Sequence, residues 1–274
     1  MGRDLIRLEL KKLYEGIPPH ITRYWNKYAV DPIPDSRYPS ILKERNIAIR
    51  AKEITYAVVT LGERLVELAY SIGVSDIQPE DFVGLQRKAL DYSGWWNFKT
   101  TEAISRHVPI NLTMDGFLDR CMSLSKLIIE GLSESKLRRI LQVIGVPPND
   151  INKFGTLKLL DCVVKVAQVA IKTGLDLSAD GKQIWGRLHK EGTEPSQPIT
   201  YLFALYDIRI IKAHKASAPD ENLAQELKRF DVAPGEEVSG YGEVLDKIYD
   251  LIIIQLSEVG SKIEAALSSI KTGD

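Results

Sequence analysis

The stretch Tyr201 to Lys215, YLFALYDIRIIKAHK, limits the fold more than any other part of the chain. At about 100° per residue, the apolar side chains Tyr201, Leu202, Phe203, Leu205, Tyr206, Ile208, Ile210 and Ile211 spread around the whole circumference of a helix. Such a helix belongs in a core, or between its own core and a partner. It also carries Asp207, Arg209, Lys212, His214 and Lys215, groups seldom fully buried without partners. The rest of the chain must therefore surround this helix and still solvate or pair its charges.

The remaining sequence offers helices to do that. Asp4 to Glu15 is a short amphipathic helix stopped at Gly16 and the Pro18-Pro19 pair, and Ile21 to Val30 is an aromatic-rich short helix. DPIPDSRYPS is a loop. From a Ser40 cap, Ile47, Ile54, Val58, Leu61, Leu65, Leu68 and Ile72 keep the helical period until Gly73 stops it. Pro79-Glu80-Asp81 opens a helix reaching about Tyr92. Ser93 to Asn111, with Trp95, Trp96 and Phe98, reads as a junction between two helical parts. Helices follow over Thr113 to Gly131, from Ser133 to Gly145, over Thr156 to Lys172 and over Ser178 to Lys190. After the 201–215 helix come a short one over Pro219 to Phe230 and a long closing one over Tyr241 to Ile270. No alternating strand pairs, hairpin signals or internal repeats occur. The expectation is an all-α helical bundle: a helical region of unknown role over 1–110 and a four-to-five-helix bundle over 111–274.

Charge and cysteine usage exclude several classes. The 274 residues sum to a net charge of -1, so any nucleic-acid surface must be a local patch. Cys121 and Cys162 lie in apolar helical stretches without zinc spacing and read as core residues of a reducing cytoplasm, with a single disulfide left open. Charges break every apolar run well before the roughly 20 residues that cross a bilayer, and no secretory leader pattern opens the chain. There is no Gly-rich phosphate loop, HExxH pair or GxSxG elbow, and the four histidines lack metal-ligand spacing. Neither a metal nor a cofactor is expected.

What remains is Arg209 and His214, an Arg-x4-His spacing near the end of the apolar helix, with Lys212 and Lys215 beside it. A helix-terminal histidine and lysines also arise simply from the macrodipole. Trp95 and Trp96 read mainly as packing, Arg138 and Arg139 as late-helix cations, and Arg187, His189 and Lys190 as a second small basic group. LYDIRIIKAHK, in a bundle of about four main helices, resembles the HEPN domains of prokaryotic toxins and phage-defence proteins, whose signature is Arg, four to six residues, then His. The resemblance covers the chain from about Asn111 to Asp274. It implies a metal-independent endoribonuclease, a homodimer whose two Arg209–His214 pairs line one cleft, and service in toxin–antitoxin or antiviral defence with an antitoxin or defence-complex partner. Arg209 and His214 then take the catalytic positions, and Lys212 and Lys215 contact the RNA substrate.

The spacing is compatible with that chemistry. Five residues rotate about 500°, so Arg209 and His214 stand about 140° apart on one helix and meet more easily across two. A near-neutral histidine serves as general base on a 2′-hydroxyl or acid on the leaving oxygen, while an arginine stabilises the phosphorane. Asp207 sits two turns, about 10.5 Å, before His214 and cannot orient it within one chain. Ile210 follows the arginine, where the family often has Asn, Asp or His. That difference and the near-zero net charge favour a second reading, a non-catalytic dimerisation or partner-binding scaffold.

Overall fold

A computed structural model describes residues 14–29, 45–190, 199–214 and 219–271. Among them every regular element is helical and there is no strand, so the protein is an all-α bundle. Helix α1 spans Pro19–Asn26. The expected first helix, apart from its last two residues, lies outside the described residues, as do the proline-rich loop and Ser40. Helix α2, Ile47–Ser71, begins instead at Asn46, whose side-chain oxygen accepts the Ile49 N–H at 2.9 Å. Gly73, at φ +88°, ends it.

The expected helix from Pro79 to Tyr92 is two, α3 (Pro79–Val83) and α4 (Arg87–Ser93), because Gly84 turns the chain at φ +66°. The stretch read as a domain junction forms α5, Lys99–Ser105. The expected helix through Gly131 begins as α6, Met114–Ser125, and then widens into a single π-helical turn over Lys126–Glu130, closed by the Gly131 N–H on the Lys126 carbonyl at 3.1 Å. Then follow α7 (Glu134–Ile144), α8 (Pro148–Ile151), α9 (Thr156–Thr173), α10 (Gly181–Lys190), α11 (Thr200–His214), α12 (Pro219–Lys228) and α13 (Gly242–Lys271).

The architecture centres on α2 and α13, the most extensively packed pair. Arg50 bonds Asp250 through Nε (3.0 Å) and Nη2 (2.9 Å), and fourteen residues further on, about 21 Å of helix, Arg64 reaches Glu264 at 2.7 Å. Each partner lies 200 positions later in sequence, so the helices run parallel in one register. Along this seam Ile54, Val58, Leu61, Leu65 and Leu68 of α2, and Ile248, Tyr249, Ile252, Leu256, Val259 and Ile263 of α13, are buried. Full burial of one such side chain is worth about 1.5–3 kcal/mol. Helices α3 and α5 pack on α2, whereas α9 and α11 pack on α13. Buried residues from Ile47 to Leu267 make one contiguous core, so a boundary near residue 110 does not separate two hydrophobic cores.

Smaller contacts fix the outer helices. Tyr249 donates from its hydroxyl to the Ile104 carbonyl at 2.8 Å, and the nearly buried Arg120 donates to the Arg106 carbonyl at 3.0 Å, tying the α5–α6 connection to the core. Helix α9 lies between α13 and α7, with α10 on its flank. Cys121 and Cys162 are free, buried thiols as the sequence suggests, and burial pushes the Cys162 thiol up to about 12. At the start of α10, a Cβ on Gly181 would fall inside the Ile144 carbonyl at the end of α7. The two helices meet there because that side chain is absent. We expect Gly181→Ala to lose about 2 kcal/mol or more in urea unfolding. Gly186→Ala, where an added methyl meets nothing within 4 Å, should instead gain up to about 1 kcal/mol.

Candidate functional site

Helix α11 resolves the tension in its sequence by being surrounded. Leu202, Ala204, Leu205, Ile208 and Ile211 are buried, against α6 on one side and α13 and α12 on others. At its first turn, where helix N–H groups lack partners, the Leu202 N–H donates to the Gln255 side-chain oxygen at 2.7 Å. Tyr201 stacks on Phe230, ring centroids 5.5 Å apart. Asp207 accepts from Arg229 at 2.7 Å, and Arg229 also reaches the Thr200 carbonyl at 3.2 Å, so Asp207 serves to hold α12 against α11. One stripe stays open: Tyr206 and Ile210, a turn apart, are 36% and 38% exposed.

The charged residues at the far end of α11 meet carboxylates. Arg209 pairs through Nη2 with Glu130 at 2.6 Å, and its guanidinium lies 5.8 Å from the Tyr206 ring centre. Glu130 is the last residue of the π turn, and a one-residue change in helical winding rotates every later side chain by about 100°. The π turn thus decides that Glu130 faces Arg209. Lys212 pairs with Asp115 and with Asp119 (3.1 Å), one turn apart on α6; those hydrogen bonds raise its pKa. Arg209 and Lys212 therefore fasten α11 to the α6–π segment and stay partly open to solvent. His214 is the last residue of α11, of which only the backbone position is described, and Lys215 lies outside the described residues.

Glu130, Asp115 and Asp119 are not singled out by the sequence reading. One local signal was available for two of them: carboxylates four apart on one helix repel unless a cation meets them, and Lys212 does. Glu130 has no local signal, since the π turn that aims it follows from packing. Arg138 and Arg139 have structural partners. Arg138 reaches the Ile151 and Phe154 carbonyls and Glu134, closing the α8 loop, and Arg139 pairs with Asp76. Trp95 packs against the core, whereas Trp96 is 58% exposed, folded over Gly94. A shallow cleft of about 240 Å³ between α11 and α12 is lined by Asp207, Ile210, Ile211, Asn222, Gln225 and Glu226, so it is not basic. Among the described residues no group of His, Cys, Asp and Glu is arranged to hold a metal ion, and no helix is long and apolar enough to cross a membrane.

The fold and site define a helical bundle with an ion-paired, half-open helix end. No known protein family, no curated protein and no solved structure matches the chain. Because the Arg209–Glu130 pair is partly solvated at both ends (side chains 32% and 41% exposed), we expect Glu130→Gln to cost no more than about 1 kcal/mol in urea unfolding. A cost several times larger would mean that this pair is a buried anchor.

Proposed function

We propose that the chain is a HEPN-like, metal-independent endoribonuclease acting at the end of α11, as a homodimer in cytoplasmic toxin–antitoxin or antiviral defence. The observation that carries this reading is the presentation of Arg209. It stands at the half-open end of an otherwise buried helix, five residues before His214, and Glu130 takes its Nη2 from a π turn. π turns recur at functional sites, because the extra residue re-aims side chains at a cost in backbone geometry. A single carboxylate contact leaves other guanidinium N–H groups to receive a phosphate.

In this reading His214 takes the proton of the RNA 2′-hydroxyl, or returns one to the departing 5′-oxygen. Arg209 stabilises the charge that builds on the pentacoordinate phosphorus. The 2′-oxygen forms the new bond, the 5′-oxygen leaves, and the product carries a cyclic phosphate. No metal enters these steps. Lys212 is occupied by Asp115 and Asp119, so we assign it to holding α11 in place, and leave the substrate contact to Lys215.

One observation favours the non-catalytic scaffold instead. Arg209 and Lys212 already face the three carboxylates of Glu130, Asp115 and Asp119, a local excess of negative charge that repels RNA. The two readings separate by RNA cleavage in EDTA with wild type, Arg209→Ala and His214→Ala, folding verified by circular dichroism. We expect wild-type cleavage to survive EDTA, and each substitution to lower the rate about 100-fold or more. Cleavage that persists in the folded His214→Ala protein, or a wild type that cuts no RNA, leaves the scaffold reading.

A further inference from the structure

A groove lies on a different face, between the end of α9 and the second half of α13. It is open, about 640 Å³, and its apolar wall is made by Ile171, Ile253, Ile254 and Ala265. Ile171 is 41% and Ile254 is 51% exposed, two branched aliphatic side chains facing water on helices whose opposite faces are fully buried. Burying them would remove exposed apolar area from water. The floor between them is Ser257, Glu258, Ser261 and Lys262. Among the described residues neither Glu258 nor Lys262 makes an ion pair.

The arrangement is self-complementary. Ile254 and Ala265 are eleven residues apart, three turns and about 16 Å along one face of α13. The large side chain stands at one end and the small ones at the other, with an acid and a base one turn apart between them. A second α13 laid antiparallel about a two-fold axis at the level of Gly260 brings each Ile254 over the Ala265 end of the other helix. The same operation puts Glu258 beside Lys262 of the partner subunit, twice over, because a two-fold repeats every contact. A parallel arrangement would instead stack Ile254 on itself and oppose like charges. We propose that this groove is the seat of a second copy of the same chain, packed through antiparallel α13 helices with reciprocal Glu258–Lys262 pairs.

This contact does not rest on the ribonuclease reading, and its test uses no activity. The mass of the full-length protein is measured by light scattering on a sizing column for wild type, Ile254→Asp, Glu258→Lys, the double variant Glu258→Lys/Lys262→Glu, and Ile210→Asp on the exposed stripe of α11. All of these positions are solvent-exposed or half-exposed, so the fold is retained. We expect Ile254→Asp to halve the mass of the wild-type assembly. Glu258→Lys should weaken self-association about tenfold or more, and the double variant should restore it, since swapping both signs rebuilds the pairs. A monomeric wild type, a mass unchanged by Ile254→Asp, or a double variant as weak as Glu258→Lys would each overturn the proposal. So would an assembly that dissociates only with Ile210→Asp, which would place the copy-to-copy seam on α11.

Discussion

The parallel packing of α2 on α13 is the contact on which the rest of the bundle depends. It joins segments 200 residues apart in sequence, and its register is written in charge at both ends, by Arg50 with Asp246 and Asp250 and by Arg64 with Glu264. Arg50 is the stricter of the two. Burial opposes its charge, yet the hydrogen bonds it donates to Asp250 and the nearby Asp246 carboxylate more than offset this, and its pKa rises. A slip of one turn would break the two-pronged Arg50–Asp250 contact and carry Arg64 away from Glu264. The apolar residues between the two charge clusters supply the energy, and the charges choose the alignment.

The position of the candidate site follows from that pair. With α13 fixed, its outer faces take up α9 and α11, and Gln255 of α13 holds the first turn of α11 by the Leu202 N–H. The other end of α11 is then delivered to α6 and the π turn, where carboxylates meet Arg209 and Lys212. Thus a helix with apolar residues on every side carries five ionisable groups without stranding those that are described: Asp207, Arg209 and Lys212 each have an opposite charge within reach. The same arrangement limits the chemistry available. A cation paired with one carboxylate is oriented and still accessible; one held by two, as Lys212 is, has little left to offer a phosphate.

The helical period was enough to read the fold class and most elements, because apolar spacing and glycine stops are local properties. The long closing helix and the helix over 201–215 are examples. Three features lay beyond that reach. Gly84 breaks an acidic, proline-led helix through its left-handed backbone, which a helical pattern tolerates on paper. The π turn at Lys126–Glu130 carries no sequence signature, since one added residue per turn leaves composition unchanged and arises from packing against neighbours. The third is the pairing of α2 with α13: periodicity shows that each has an apolar face and cannot say that the faces meet, so the sequence reads as two parts where the structure has one core. For the site, Arg209 and Lys212 were legible as cations on an apolar helix, whereas their carboxylate partners come from segments some 80 to 100 residues away, beyond any local spacing rule.

Native-state hydrogen exchange, residue by residue, tests the shared core most directly. If α2 and α13 stabilise each other, the amides of Val58, Leu61 and Leu65 exchange only with the same global opening that exposes Ile252, Leu256 and Val259, at the same free energy and the same denaturant dependence. Exchange of the α2 amides through an opening about 2 kcal/mol or more cheaper, while those of α13 stay protected, would show that the N-terminal part folds apart from the bundle and contradict the account.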